Sequence, residues 1–118
     1  MKVDEARQEM VIFTKSFDLL DWLLSATNNL PRAHRFTFTK RMLDAAFDLR
    51  ERLDEANCRK GTARRERLER ADEELSKLRL YLRLAFRWGW FSGGQYKHVS
   101  AIVAEVGKLL GGWQKVSR

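Results

Sequence analysis

Lys77-Leu78-Arg79-Leu80-Tyr81-Leu82-Arg83-Leu84-Ala85-Phe86-Arg87-Trp88 is the stretch that decides the fold. It continues an apolar repeat of Leu68, Ala71, Leu75, Leu78, Leu82 and Ala85. The 3-4 spacing of that repeat puts every member on one side of an α-helix. Beside this ordinary core stripe lie Leu80, Tyr81, Leu84 and Trp88, which widen the apolar arc to roughly 220° on a wheel of 3.6 residues per turn. One face of a small helical domain needs only about half of that arc. The narrow remainder is Arg79, Arg83 and Arg87 at i, i+4 and i+8, with no carboxylate among them. Such a helix serves two buried surfaces, a core and a subunit contact, and turns one cationic edge toward an anionic partner.

Three more helices surround it. Upstream, Val3, Ala6, Met10, Phe13, Phe17, Leu20, Leu24 and Thr27 keep a 3-4 spacing, with Asp4 and Glu5 in the first turn where the helix dipole favours acids. Leu19, Trp22 and Leu23 add apolar surface off that stripe, and Trp22 is a candidate for either the bundle rim or a subunit contact. Pro31 forces Leu30 out of helical geometry and ends this segment. Arg32, His34 and Arg35 make the following loop basic. Thr37 or Thr39 is expected to cap a second helix with the stripe Phe38, Met42, Ala45, Leu49, Leu53 and Ala56. Gly61-Thr62 is read as the next break, with Thr62 as N-cap. Ser92-Gly93-Gly94-Gln95 is a capping box, flanked by Phe91 and Tyr96 at the positions of a hydrophobic staple. A fourth stripe of Tyr96, Val99, Val103, Val106, Leu110 and Trp113 follows, and Gly111-Gly112 is expected to stop that helix. The helices fall at about residues 4–27, 38–58, 62–88 and 93–110 of a single domain, 1–118. The pattern predicts an all-α, up-down-up-down antiparallel four-helix bundle.

Composition narrows the function. With 44% apolar and 33% charged residues in 118, the chain is too apolar and too periodic to be disordered. No apolar run approaches the length of a membrane span, and no signal-peptide pattern opens the chain. A lone cysteine, Cys58, permits no internal disulfide. It reads as a buried or half-buried structural thiol, and a cytoplasmic location is expected. A net charge of +7 points to nucleic acid or an acidic partner. From Arg59 to Arg70 the bases Arg59, Lys60, Arg64, Arg65, Arg67 and Arg70 outnumber Glu66 and Glu69. Positive charge at a helix N-terminus opposes the dipole, so this cluster also invites a functional explanation. His34 and His98 form no metal-ligand spacing, the bundle has no Glu-x-x-His pair, and no Gly-rich loop precedes a phosphate-binding lysine. The expected protein is not an enzyme and uses no cofactor or metal.

Several stretches in this order carry a resemblance: Trp22-Leu23-Leu24, Leu30-Pro31-Arg32, Arg35-Phe36-Thr37, the arginine-edged stretch, and Glu105-Val106-Gly107-Lys108-Leu109-Leu110-Gly111-Gly112-Trp113. Together they resemble the accessory variability determinant (Avd) proteins of diversity-generating retroelements, within a wider four-helix group that includes proteins encoded in 23S rRNA intervening sequences. The terminal Gly-Gly-Trp and the arginine edge favour the retroelement branch. The resemblance implies a barrel-like homopentamer of four-helix bundles that binds the retroelement reverse transcriptase and RNA or DNA, in support of mutagenic copying of a template repeat. It implies no catalytic residue. Arg79, Arg83 and Arg87 are the first candidate contacts, with Arg64, Arg65, Arg67, Arg32 and Arg35 behind them. Tyr81, Leu84, Trp88 and Trp22 are the candidate subunit-interface residues. The alternative is a basic scaffold of the intervening-sequence type, binding RNA or an acidic protein. A peripheral membrane role fits poorly, because the charge is spread over several helices.

Overall fold

The computed structural model describes the backbone from Lys2 to Arg118 and side chains from residue 11 onward. The expectations for Val3, Asp4, Glu5, Ala6 and Met10 lie outside the described side chains. Four long helices account for most of the chain: α1 (Lys2–Ala26), α2 (Lys40–Asn57), α3 (Gly61–Arg87) and α4 (Gly93–Val116). Between α1 and α2 the chain makes two 3-10 turns, Thr27–Asn29 and Arg32–His34, then a π-helical turn, Arg35–Thr39. Leu30 is extended, as the proline after it requires. Among the described residues there is no strand.

Contact pairs run in opposite order along neighbouring helices. Lys15 meets Glu105 at 3.5 Å while Trp22, further along α1, meets His98, earlier in α4. Glu55 faces Arg67, while Phe38 lies edge-on to Tyr81. The most extensive contact is between α2 and α3.

The core stripes of α2, α3 and α4 follow the sequence repeats. Met42, Leu49 and Leu53 of α2, Leu68, Leu75, Leu78 and Leu82 of α3, and Val99, Val103, Val106 and Leu110 of α4 are all buried in one core cluster. In α1 the stripe is different. The residues that enter the core are Ile12, Ser16, Leu19, Leu23 and Ala26, while Phe17 is 60% exposed and Leu24 46% exposed. Both sets keep a 3-4 repeat, and they differ by one residue, a rotation of about 100°. Small Ser16 permits the observed choice. Its hydroxyl donates to the Phe13 carbonyl at 3.2 Å, and Arg50 Nη1 donates to the same carbonyl at 2.9 Å. The buried polar group is thereby satisfied.

Helix ends correct the sequence reading in four places. Gly111 and Gly112 do not stop α4, which continues to Val116. Each helical glycine costs about 1 kcal/mol relative to alanine. Burial of Trp113, with its ring edge-on to Phe13 at 6.0 Å, outweighs both: a tryptophan hides ~150–250 Å², worth roughly 4–6 kcal/mol. Neither Thr37 nor Thr39 caps α2, because the π-helical turn leads straight into it with Thr39 already helical. Thr62 is inside α3, whose N-cap is Lys60, and its hydroxyl instead accepts from Arg65 Nη2 at 2.8 Å. Cys58 is exposed rather than buried, since it occupies the C-cap of α2, where the chain turns out to solvent.

The Ser92 box is present in full. The Ser92 hydroxyl accepts from the Gln95 N–H at 3.1 Å, and Gln95 Oε1 accepts from the Ser92 N–H at 2.8 Å. The flanking rings have separate partners: Phe91 is buried against Trp22, and Tyr96 stacks on Phe86 at 4.5 Å.

Candidate nucleic-acid interface

The second half of α3 is held in place at its end by a Schellman turn. Gly89 adopts φ 74°, its N–H donates to the Phe86 carbonyl at 3.0 Å, and the Trp90 N–H donates to the Ala85 carbonyl at 2.9 Å. A left-handed residue at that position calls for glycine. The turn therefore fixes the last arginine of the stripe, Arg87, directly before it.

Arg79, Arg83 and Arg87 are all exposed, and none takes part in an ion pair among the described residues. The nearby acids Glu73 and Glu74 are engaged with Arg70 and Lys77. The hydrogen bond that Lys77 Nζ donates to the Glu74 carboxylate holds the Lys77 ammonium above its ordinary pKa. No carboxylate occurs between Glu74 and Glu105, while Lys77, Arg79, Arg83, Arg87 and Lys97 all fall there. Each four-residue step turns the stripe by about 40°, so it winds from the α4 side toward open solvent.

At its start the stripe borders a cleft. Arg79, Leu82 and Arg83 form one wall, and Tyr96, Ser100, Val103 and Ala104 of α4 form the other, around a volume of about 280 Å³. The seat of Arg79 against α4 depends on Gly107, which is not itself in the cleft wall. A Cβ there would collide with Arg79 Nη2 and touch Leu75 Cδ2 at 3.4 Å. The bare backbone of α4 is what lets the guanidinium lie down against it. Gly107, Tyr96 and Ser100 were not singled out from the sequence as site residues. The available signal was a glycine in the middle of an otherwise regular helical repeat, which marks a close approach.

The other candidate bases divide by location. Arg32 and Arg35 are exposed in the segment before α2, and neither has an acid partner among the described residues. The contact of His34 with Trp90 at 5.1 Å brings that segment to the end of the bundle where Arg87 and Trp88 lie. Arg64, Arg65 and Arg67 are at the opposite end of α3, roughly 20 residues or 30 Å away at 1.5 Å per residue. They are occupied there. Arg64 Nε donates to the Ala56 carbonyl at 3.0 Å, and its guanidinium sits over the Trp113 ring at 5.8 Å. Arg65 bonds Thr62 and reaches the Ser117 carbonyl at 3.5 Å. Arg67 Nε and Arg52 Nε converge on Glu55 Oε1 at 3.3 and 2.8 Å.

The apolar candidates divide in the same way. Trp22 is half-buried within its own chain, against Phe91 and His98. Tyr81 is half-buried against Phe38. Leu84 is exposed, and Trp88 is 68% exposed, outside the core, with its ring 6.2 Å from Trp90. Leu80, Leu84 and Trp88 form an apolar strip parallel to the arginine stripe, one residue out of phase with it.

Among the described residues, no group of three or more His, Cys, Asp or Glu is placed to hold a metal ion, and no helix is long and apolar enough to cross a membrane. No curated protein matches the chain significantly. Among solved structures, a protein of unknown function from the S23 ribosomal protein family of Bacteroides thetaiotaomicron VPI-5482 matches with a TM-score of 0.83 at 20% identity. The match covers 92% of this chain and 98% of that one, and shows a shared fold. The bAvd-like family model matches residues 10–117, nearly the whole length, and the chain therefore belongs to the bAvd-like family.

Proposed function

We propose that the protein is a non-enzymatic accessory subunit of a diversity-generating retroelement. Its bundle is antiparallel, up-down-up-down, and assembles into a barrel-like homo-oligomer, a pentamer by family likeness. It binds the retroelement reverse transcriptase and RNA or DNA, and supports mutagenic reverse transcription of the template repeat. The observation that carries this reading is the arginine stripe of α3, three exposed arginines with no carboxylate partner among the described residues. A guanidinium pairs with phosphate through its planar fork, and release of counterions drives the association. No base-reading motif accompanies the stripe, so binding is insensitive to sequence.

The test is binding of RNA and duplex DNA across a salt series, with co-purification of the reverse transcriptase alongside. The reading predicts affinity for several unrelated sequences that falls steeply and linearly in log–log form as salt rises. Co-purification without nucleic-acid binding would replace it with a scaffold that recognises an acidic protein surface.

A further inference from the structure

The end of the bundle where α3 gives way to α4 gathers exposed rings and unpaired bases. Trp88, the C-cap of α3, is 68% exposed, and its one ring neighbour among the described residues is Trp90, at 6.2 Å and 29°. Trp90 is itself held by Phe38 and His34, each at 5.1 Å, so it braces Trp88 from one side and leaves the other face of that ring open. The Trp88 N–H donates to the Leu84 carbonyl at 3.0 Å and the Gly89 turn follows, which fixes the backbone that carries the ring. Arg87 precedes it, and Arg32 and Arg35 come from the segment that His34 joins to Trp90. All three arginines are exposed, and none makes an ion pair or hydrogen bond among the described residues. No carboxylate occurs at residues 22–43 or 75–104, the runs that build this end and the flank leading to it. Of the acids that border these runs, Asp44 is engaged with Lys40, Glu74 with Lys77 and Glu105 with Lys15, and Asp21 lies more than a turn inside α1.

We propose that this end of the bundle is a stacking platform for single-stranded nucleic acid: an unpaired base lies on the open face of Trp88, and Arg87, Arg32 and Arg35 take the phosphates on either side of it. This rests on the nucleic-acid reading above and names the form of nucleic acid that the surface selects. The arginine stripe leads to the platform. From Arg79 to Arg87 the helix rises about 12 Å, so a strand whose phosphates follow the stripe comes to Trp88. Phosphate contacts alone serve duplex and single strand alike. A ring face serves only a base that has left its stack, because neighbours cover both faces of a base inside a duplex. Every base has such a face, so the contact tolerates any sequence, in keeping with a surface that carries no base-reading motif. A second copy presenting the same end would set bases against bases, which is destabilising. An acidic protein segment would answer the arginines alone, whereas a nucleotide answers the arginines and the ring together.

The test compares wild type with Trp88→Ala and Trp88→Phe on an unstructured single-stranded RNA and on an RNA duplex of the same length, across a salt series. Trp88 lies outside the core, so both variants are expected to match wild type in circular dichroism and sedimentation. Trp88→Ala should lower single-strand affinity by about 5- to 150-fold and leave duplex affinity unchanged. Its salt slope should stay that of wild type, because the ring carries no charge, and Trp88→Phe should retain most of the single-strand affinity. Equal loss on both nucleic acids, or no loss on either, overturns the platform while wild-type binding leaves the functional reading standing. A change in assembly size places the ring in a subunit contact and overturns it too. Lost co-purification of the reverse transcriptase with single-strand affinity intact gives the surface to a protein and overturns it as well. A wild type that binds neither nucleic acid overturns the functional reading and this one with it. Arg32→Gln/Arg35→Gln, which leaves the rings and the stripe in place, is a second and independent check. It should flatten the single-strand salt slope by about 0.7 per lost phosphate contact, and an unchanged slope overturns the placement of the strand.

Discussion

Two groups of arginines share α3 and do different work. In the first half, Arg64, Arg65 and Arg67 reach back to the ends of α2 and α4, onto the Ala56 and Ser117 carbonyls, the Trp113 ring and Glu55. In the second half, Arg79, Arg83 and Arg87 have no such partner among the described residues and face solvent. Both groups look alike as charge in a sequence. What separates them is whether the adjoining helices offer a carbonyl, a ring face or a carboxylate within reach. An arginine already committed to the fold has few donors left for phosphate, while an uncommitted one keeps its whole fork.

The comparison breaks most visibly where the first group is anchored. Trp113→Ala removes the ring beneath Arg64 and the buried end of α4. A loss of about 3–5 kcal/mol in a denaturant melt is expected, in the range of large aromatic truncations. Nucleic-acid affinity of the protein that remains folded should stay within error. Arg64→Gln has a smaller effect of the same kind, about 1–2 kcal/mol, the order of a part-buried bond from a charged donor, again with affinity unchanged. If Arg64→Gln lowered affinity without lowering stability, the division between the two groups would fail.

Much of this was legible in the sequence, and the omissions have physical causes. The stripes of α2, α3 and α4 could be read because each helix carries one dominant apolar repeat. The capping box could be read because Ser92 and Gln95 satisfy each other's backbone groups locally. In α1 two repeats overlap, and bulk pointed to Phe17 and Leu24, whereas the core took Ser16 and Leu19, with the buried hydroxyl donating to the Phe13 carbonyl and accepting from Arg50 Nη1. Gly111-Gly112 misled for a related reason: helix propensity is local, while the burial of Trp113 is tertiary. The cleft beside Arg79 was not legible, since it depends on which turn of α4 meets Arg79.

Ser92→Ala sharpens the comparison from outside both groups. It should lower stability by about 1 kcal/mol through loss of the cap, leaving assembly and binding untouched. A midpoint that does not move would show that the box contributes nothing. Gly107→Ala has the smallest effect on the fold, within about 1 kcal/mol, because alanine's helix preference offsets displacement of a flexible guanidinium. It should weaken nucleic-acid binding nonetheless, through Arg79, while Gly111→Ala, with open space at its Cβ, should not.

The most direct test of the central claim is Arg79→Gln/Arg83→Gln/Arg87→Gln, with binding measured across a salt series. Glutamine keeps much of each stem and removes the charge, and the core stripe of α3 is unchanged, so folding and assembly should survive. Affinity should fall for every RNA and DNA sequence tested. The slope of log affinity against log salt should flatten by up to about 0.9 per lost phosphate contact on duplex DNA. An intact oligomer with unchanged affinity and unchanged slope would contradict the account and move the binding surface to Arg32 and Arg35 or to the first half of α3.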